Sequence, residues 1–177
     1  MEQKLKFKTV FIIAITLMLV SGISGALIVC LNHFTEPIIE ENNKRIEQEK
    51  LAQIYQDATF TKVENVSGVD VLYEAHQNNE LVGYVYKVSG KNAYGAISLL
   101  VGINPDGLIK RSVMLENTES FATEVNNHFA SSYHEDMSLA EVDSVDVKCG
   151  ATYGAKLVKE LINQALNHFE ANYKKEA

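Results

Sequence analysis

Positions 9–31 form a run of 23 residues without a charged side chain, and this run limits the folds open to the chain. As an α-helix with a rise of about 1.5 Å per residue, it covers the roughly 30 Å hydrocarbon core of a bilayer with some tilt. Three lysines stand within the first eight residues, and an acidic stretch begins at Glu36. Because positive charge favours the cytoplasmic side, the pattern predicts a single-pass cell-membrane protein with a cytoplasmic N-terminus and an extracytoplasmic C-terminal domain.

A cleaved signal peptide is the alternative interpretation of this segment. The basic start, the apolar run and the small residues Ser24, Gly25 and Ala26 are all typical of such a peptide. The apolar stretch nevertheless continues to Leu31, beyond the roughly 7 to 15 residues of a usual signal core. The length therefore favours a retained membrane anchor.

The charge of the chain excludes one class of partner. The net charge is −7, from 16 basic and 23 acidic residues. A protein that binds nucleic acid needs a basic surface to neutralise phosphates. Nothing beyond residue 8 forms such a stripe, so no nucleic-acid partner is expected.

Residues 32–60 are predicted to form a helical spacer between the membrane and a folded domain. The segment Thr35-Glu36-Pro37 is a typical helix start, and apolar residues then recur at near-helical spacing among charged ones. We interpret this spacer as a solvated amphipathic helix. The expected regions are a cytoplasmic N-terminus (1–8), a transmembrane helix (9–31), the spacer (32–60) and an extracytoplasmic domain (61–177).

Apolar residues alternate with a period of two from Val69 onward, which predicts strands near residues 69–75 and 82–88. Two further β-like runs, 97–103 and 108–115, are separated by Asn104-Pro105-Asp106-Gly107. Proline followed by Asp-Gly between two apolar runs is typical of a hairpin turn.

Two helices are predicted after these strands. A weak one is expected around residues 121–129, and a strongly amphipathic one runs from about 154 to 173. Strands followed by segregated helices favour an α+β domain with a largely antiparallel sheet.

Residues 146–152 read Asp-Val-Lys-Cys-Gly-Ala-Thr and end directly before the strong helix. Gly150 allows a tight backbone turn, and the unpaired N–H groups at a helix start are suited to hold a phosphate near Thr152. A phosphate ester on Thr152 would lie where the helix dipole favours negative charge. The alternative is that Thr152 is an ordinary helix cap, the usual role of a threonine before a helix.

This segment resembles the flavinylation motif of the FMN-binding domain family, Asp-x-x-Ser/Thr-Gly-Ala-Thr. Asp146, Gly150, Ala151 and Thr152 match the motif, and Cys149 stands in place of the hydroxyl residue. The resemblance implies that a flavin transferase attaches FMN to Thr152 through a phosphodiester bond. It also implies that the matched positions shape the turn recognised by that enzyme, with Cys149 among the cofactor-binding residues.

The likeness extends to nearly the whole chain. Residues 91–115, which include Tyr94-Gly95 and Asp106-Gly107, are similar to the glycine-rich strand and hairpin of the G subunit of the Rnf electron-transport complex. That protein is related to the C subunit of the sodium-translocating NADH:quinone reductase. The membrane helix followed by Thr35-Glu36-Pro37-Ile38 is similar to it as well.

The chain departs from the family pattern in two places. The chain has Glu119-Ser120-Phe121-Ala122 where the family commonly has Glu-Thr-Pro-Gly, and Gly154 where it has a second hydroxyl residue. By resemblance, Glu119 and Ser120 are candidates for contacts with the flavin, and Tyr94 is a candidate for packing near its ring. An aromatic residue beside a glycine is also common in strands, so the role of Tyr94 stays open.

The resemblance implies an electron-transfer flavoprotein subunit of a membrane-bound, ion-translocating oxidoreductase complex, with other membrane subunits as partners. The alternative is a stand-alone membrane-anchored flavin domain for extracytoplasmic electron transfer or redox sensing. A third hypothesis is a structural or ligand-binding module without flavin.

Motifs for independent catalysis are absent from the sequence. It contains no P-loop, HExxH or GxSxG motif, and its five histidines show no metal-ligand spacing. Neither a catalytic residue nor a metal site is therefore predicted. The chain is expected to work as part of a translocase rather than as an enzyme on its own.

Overall fold

The computed structural model describes residues 2–174 of the 177-residue chain. The chain divides between Arg45 and Ile46 into two compact units. The first unit is helical, and the second contains a sheet with helices. The predicted functional segment, residues 146–152, belongs to the second unit.

A single helix, α1 (Glu2–Ile54), runs through the first unit and ends in the second. The expected helix start at Thr35 is wrong, because the helix is continuous there and the Thr35 hydroxyl donates to the carbonyl oxygen of Leu31 at 3.0 Å. A threonine inside a helix satisfies its hydroxyl in this way instead of capping a new helix. Pro37 lies within the helix, where it removes one backbone hydrogen bond without ending the helix.

Within the described residues, α1 is the one helix long and apolar enough to cross a membrane. Its large apolar side chains between Phe7 and Ile39 are exposed. A continuous exposed apolar surface of this length is typical of a helix that faces lipid. The helix therefore fits the predicted single-pass anchor, and its orientation remains a prediction.

The second unit is built on a five-stranded antiparallel sheet in which each strand pairs with the next along the chain. The strands are β1 (Thr59–Val63), β2 (Val71–Gln77), β3 (Glu80–Asn92), β4 (Gly95–Ile103) and β5 (Ile109–Asn117). With the helices that follow, this sheet confirms the predicted α+β class. The sequence interpretation missed β1, because this edge strand buries little of its surface and shows no clear apolar alternation.

The predicted hairpin turn joins β4 to β5. The Gly107 N–H donates to the carbonyl oxygen of Asn104 at 2.9 Å. Gly107 has a φ of +90°, in the left-handed region that glycine adopts without steric cost. The turn chemistry read from the sequence is therefore confirmed.

Three helices follow the sheet: α2 (Ala122–Ser132), α3 (Leu139–Ser144) and α4 (Thr152–Asn172). α2 and α4 confirm the two predicted helices, and α4 begins two residues earlier than expected. α3 was missed, although the Ser138 side chain and Glu141 form a capping box that the sequence itself displays.

Helices cover both faces of the central strands. On one face, α4 packs its apolar stripe against β3 and β4. On the other, the end of α1 buries Leu51, Ile54 and Tyr55, none more than 6% exposed, against apolar residues of β2, β3 and β4. The prediction of a solvated spacer is therefore wrong for the last turns of α1. Burial on both faces also explains why residues 99–103 are apolar without a polar residue at every second position.

Two glycines make room for the end of α1 on the sheet. Gly83 lies under Tyr55, whose hydroxyl donates to the carbonyl oxygen of Ile103 at 3.0 Å. Gly102 lies under Ile54, so closely that a side chain at position 102 would overlap it. The helix can therefore approach the strands closely because glycine, which has no side chain, occupies both positions.

Replacing Gly102 with alanine is expected to lower the free energy of unfolding by about 1–3 kcal/mol, the usual cost of overpacking. The added methyl group would lie 2.2 Å from Cγ2 of Ile54 and 3.2 Å from the carbonyl oxygen of Arg111. Urea denaturation followed by circular dichroism measures this loss. Because Ile54→Ala removes the blocking group, the double variant should lose less than the sum of the two single variants. Additive losses would contradict the contact.

Candidate functional site

A cleft of about 250 Å³ lies at one end of the sheet. Three segments form its walls: the turn from β3 to β4, the loop between β5 and α2, and the start of α4. Its lining residues are Tyr94, Glu119, Phe121, Gly150, Ala151, Thr152, Tyr153 and Gly154. The cleft therefore contains most of the predicted motif together with the loop that departs from the family pattern.

The start of α4 presents unpaired backbone donors to this cleft. The first backbone hydrogen bond of the helix runs from the Ala155 N–H to the carbonyl oxygen of Ala151, at 3.1 Å. No side chain caps the helix. The N–H groups of residues 152–154 consequently have no partner among the described residues, and they form the positive end of a helix of 21 residues.

Gly150 and Ala151 determine where this helix begins. Gly150 has a φ of +83°, which confirms the predicted tight turn. Ala151 is 7% exposed and packs in the core, so the chain is held there before the helix starts. The non-helical cap position therefore falls on Ala151, with a φ of −122° and a ψ of 51°.

Thr152 is the first residue of α4, not its cap. The alternative interpretation of Thr152 as an ordinary helix cap is therefore wrong. Its side chain is exposed in the cleft, and within residues 7–174 its hydroxyl makes no hydrogen bond. The oxygen is thus available for chemistry or for a ligand.

Three exposed aromatic side chains stand around Thr152. Tyr94, Phe121 and Tyr153 are 44%, 52% and 65% exposed. The rings of Tyr94 and Tyr153 lie 5.4 Å apart between centroids, with their planes tilted by 36°. Tyr94 belongs to the turn between β3 and β4 instead of a strand. Aromatic walls of this kind suit a planar aromatic ligand.

The loop after β5 is fixed against that turn by hydrogen bonds. The Ser120 N–H donates to the carbonyl oxygen of Tyr94 at 3.1 Å, and the Thr118 N–H donates to that of Ala96 at 2.9 Å. Gly95 allows this approach, because a Cβ there would lie 2.5 Å from the carbonyl oxygen of Thr118. The Ser120 hydroxyl lies 3.4 Å from the same Tyr94 oxygen, and Ser120 does not line the cleft.

Glu119 enters the cleft wall from this loop. It is 6% exposed, and its Oε1 accepts a hydrogen bond from the side-chain amide of Asn92. Its Oε2 lies against α4, because a Cβ at Gly154 would be 2.5 Å from that oxygen. The structure thus brings Glu119 to the first turn of the helix that carries Thr152.

Asp146 and Cys149 do not line the cleft, and their contacts fix the segment 146–152 to the rest of the domain. The Asp146 side chain accepts from the Lys148 N–H at 3.1 Å, and His128 Nε2 lies 2.7 Å from the Asp146 carbonyl oxygen. Cys149 is half-buried beside Tyr133. Burial, with a smaller contribution from Cys149, raises the pKa of Tyr133 to about 12.

Sequence reasoning missed four residues that shape this site: Asn92, Phe121, His128 and Tyr153. Phe121 and Tyr153 directly adjoin predicted positions, so adjacency was a usable signal for both. Asn92 and His128 act through contacts across the fold, at Glu119 and Asp146. No local sequence pattern marks such contacts.

Similarity to a known protein extends along nearly the whole chain, although no protein-family model matches it. The chain is 25% identical over 169 residues to the G subunit of the proton-translocating ferredoxin:NAD(+) oxidoreductase complex of Clostridium ljungdahlii. The match covers 89% of this chain and 90% of that protein. The likeness to this G subunit that the sequence indicated is thereby confirmed along nearly the whole chain.

Proposed function

We propose that this protein is an electron-transfer subunit of a membrane-bound, ion-translocating oxidoreductase complex, with FMN covalently attached to Thr152. The observation that carries the proposal is the exposed Thr152 hydroxyl, which has no hydrogen-bond partner among the described residues and stands at the uncapped start of α4. A threonine that caps a helix accepts a hydrogen bond from a backbone N–H, and Thr152 makes no such bond with the described residues.

The residues of the cleft fit the two chemical parts of a flavin nucleotide. The unpaired N–H groups of residues 152–154 and the helix dipole suit a phosphate group on the Thr152 oxygen. The exposed rings of Tyr94, Phe121 and Tyr153 suit a planar ring system. When bound, a flavin supplies the capacity to accept and release electrons, and the protein supplies attachment, orientation and electrostatics.

Attachment needs no catalytic residue from this chain. In the proposed modification, a flavin transferase acts on the Thr152 hydroxyl and an activated flavin nucleotide. The Thr152 oxygen loses its proton and forms a bond to phosphorus, while the bond from phosphorus to the leaving group breaks. Because the Thr152 hydroxyl is exposed, the flavin transferase can reach its oxygen. Asp146, Cys149, Gly150 and Ala151 hold the segment in a fixed shape for that encounter.

Two further observations support a place in a membrane complex. The similar protein is named as the G subunit of a proton-translocating ferredoxin:NAD(+) oxidoreductase complex. α1 supplies a helix long and apolar enough to cross a membrane. With the lysines on its N-terminal side, the charge pattern favours a flavin site outside the cytoplasm.

Intact-mass spectrometry of the tagged protein, purified from its native membrane in mild detergent, tests this proposal. The expected mass exceeds that of the polypeptide by one FMN minus water, and polytopic membrane proteins of the complex should co-purify. Trypsin cleavage after Lys148 and Lys156 should place the added mass on residues 149–156. A mass equal to that of the amino acids alone would contradict the proposal.

A further inference from the structure

Among the side chains of residues 7–174, Glu119 is the one charged group that is buried, at 6% exposure. It lies in the cleft wall and not in the apolar core. Burying a carboxylate is costly unless its oxygens are hydrogen-bonded. Because burial of the Glu119 carboxylate is costly and it lies beside a candidate cofactor site, we expect its charge to have a functional role.

The contacts of Glu119 hold its charge at the start of α4. Asn92 donates to Oε1, and the Glu119 N–H donates to the side-chain oxygen of Asn117 at 3.0 Å. Within the described residues, Oε2 accepts no hydrogen bond and no cation forms an ion pair with the carboxylate. Among the described residues, no basic side chain therefore neutralises its charge.

Gly154 provides the space for this arrangement. A Cβ at position 154 would lie 2.5 Å from Glu119 Oε2 and 2.5 Å from Cγ2 of Val125. The carboxylate thus takes the volume that a side chain at position 154 would fill. Position 154, which departs from the family pattern, thus meets Glu119, which matches it.

We propose that Glu119 lowers the reduction potential of the flavin held in this cleft, with Gly154 as the positioning residue that admits its carboxylate; this inference rests on the proposed function. A flavin that takes up two electrons and one proton gains one negative charge. A fixed negative charge in a partly desolvated wall opposes that addition, because Coulomb interactions are screened less there than in water. Removing the charge should therefore make the flavin easier to reduce.

Glu119→Gln tests the inference, because it keeps the shape of the side chain and removes the charge. A spectroelectrochemical titration of the full-length, flavin-bearing protein in detergent should show a reduction potential that is higher by about 30 mV. For a two-electron couple, this shift is an increase of about tenfold in the equilibrium constant for reduction. Glu116→Gln is the matched control. It makes the same change in net charge at an exposed position on β5 and should leave the potential unchanged.

Gly154→Ser provides a second variant that leaves the net charge unaltered. Its added side chain would displace the Glu119 carboxylate, so the potential should shift in the same direction as in Glu119→Gln. An unchanged or lowered potential in a fully flavinylated Glu119→Gln protein would overturn this inference alone. Loss of flavin from Glu119→Gln would assign Glu119 to attachment and would also overturn it. A wild-type protein without flavin would overturn the proposed function as well.

Discussion

Thr152→Ala is expected to abolish covalent flavin attachment completely, with little effect on folding. The hydroxyl is exposed and makes no hydrogen bond within the described residues, so its removal breaks no contact of the folded protein. Alanine also remains a good residue for the first turn of a helix. A fluorescent band on a denaturing gel, present in the wild type after co-expression with a flavin transferase, should disappear.

Three controls make this result specific. Thr123→Ala removes an exposed threonine from the first turn of α2 and should leave the band unchanged. Tyr153→Phe removes the neighbouring hydroxyl of the same tryptic peptide and should also keep the band. Thr152→Ser retains a hydroxyl at the same place, and a band there would show that the oxygen is the required group. Persistent fluorescence in Thr152→Ala would mean that another residue carries the flavin.

Phe169→Ala is expected to lower the free energy of unfolding by about 3–5 kcal/mol, the usual cost of removing a buried phenylalanine. Phe169 is 0% exposed near the end of α4. Its ring lies 5.6 Å from that of Tyr84 in an edge-on arrangement. A cavity there weakens the packing of α4 on β3, which is the packing that holds the start of the same helix in the cleft. Urea denaturation followed by circular dichroism measures the loss.

Phe121→Ala is the matched control, because it deletes the same side chain from a position that is 52% exposed. Its effect on unfolding should stay within about 0.5 kcal/mol, as for most surface substitutions. If the two variants were equally stable, the assignment of Phe169 to the core would be wrong.

Local patterns in the sequence determined the parts of the fold that depend on near neighbours. The apolar stripe of α4, the uncharged run of α1 and the Asn104–Gly107 turn each follow from a spacing or a turn residue, and the structure contains all three. Edge strand β1 was not recognisable, because its pairing with β2 depends on a partner and not on its own apolar pattern. The motif around Thr152 likewise indicated the candidate site, although not the surroundings of that residue.

Only the tertiary structure decided which residue caps α4 and what surrounds Thr152. Ala151 takes the cap position because its side chain is held in the core, and a local pattern would assign that role to Thr152. Glu119 and Gly154 are 35 positions apart in the sequence and meet only because the loop after β5 is bonded to the turn before β4. Periodicity and capping report energies between near neighbours, whereas the buried carboxylate beside α4 arises from packing between distant segments.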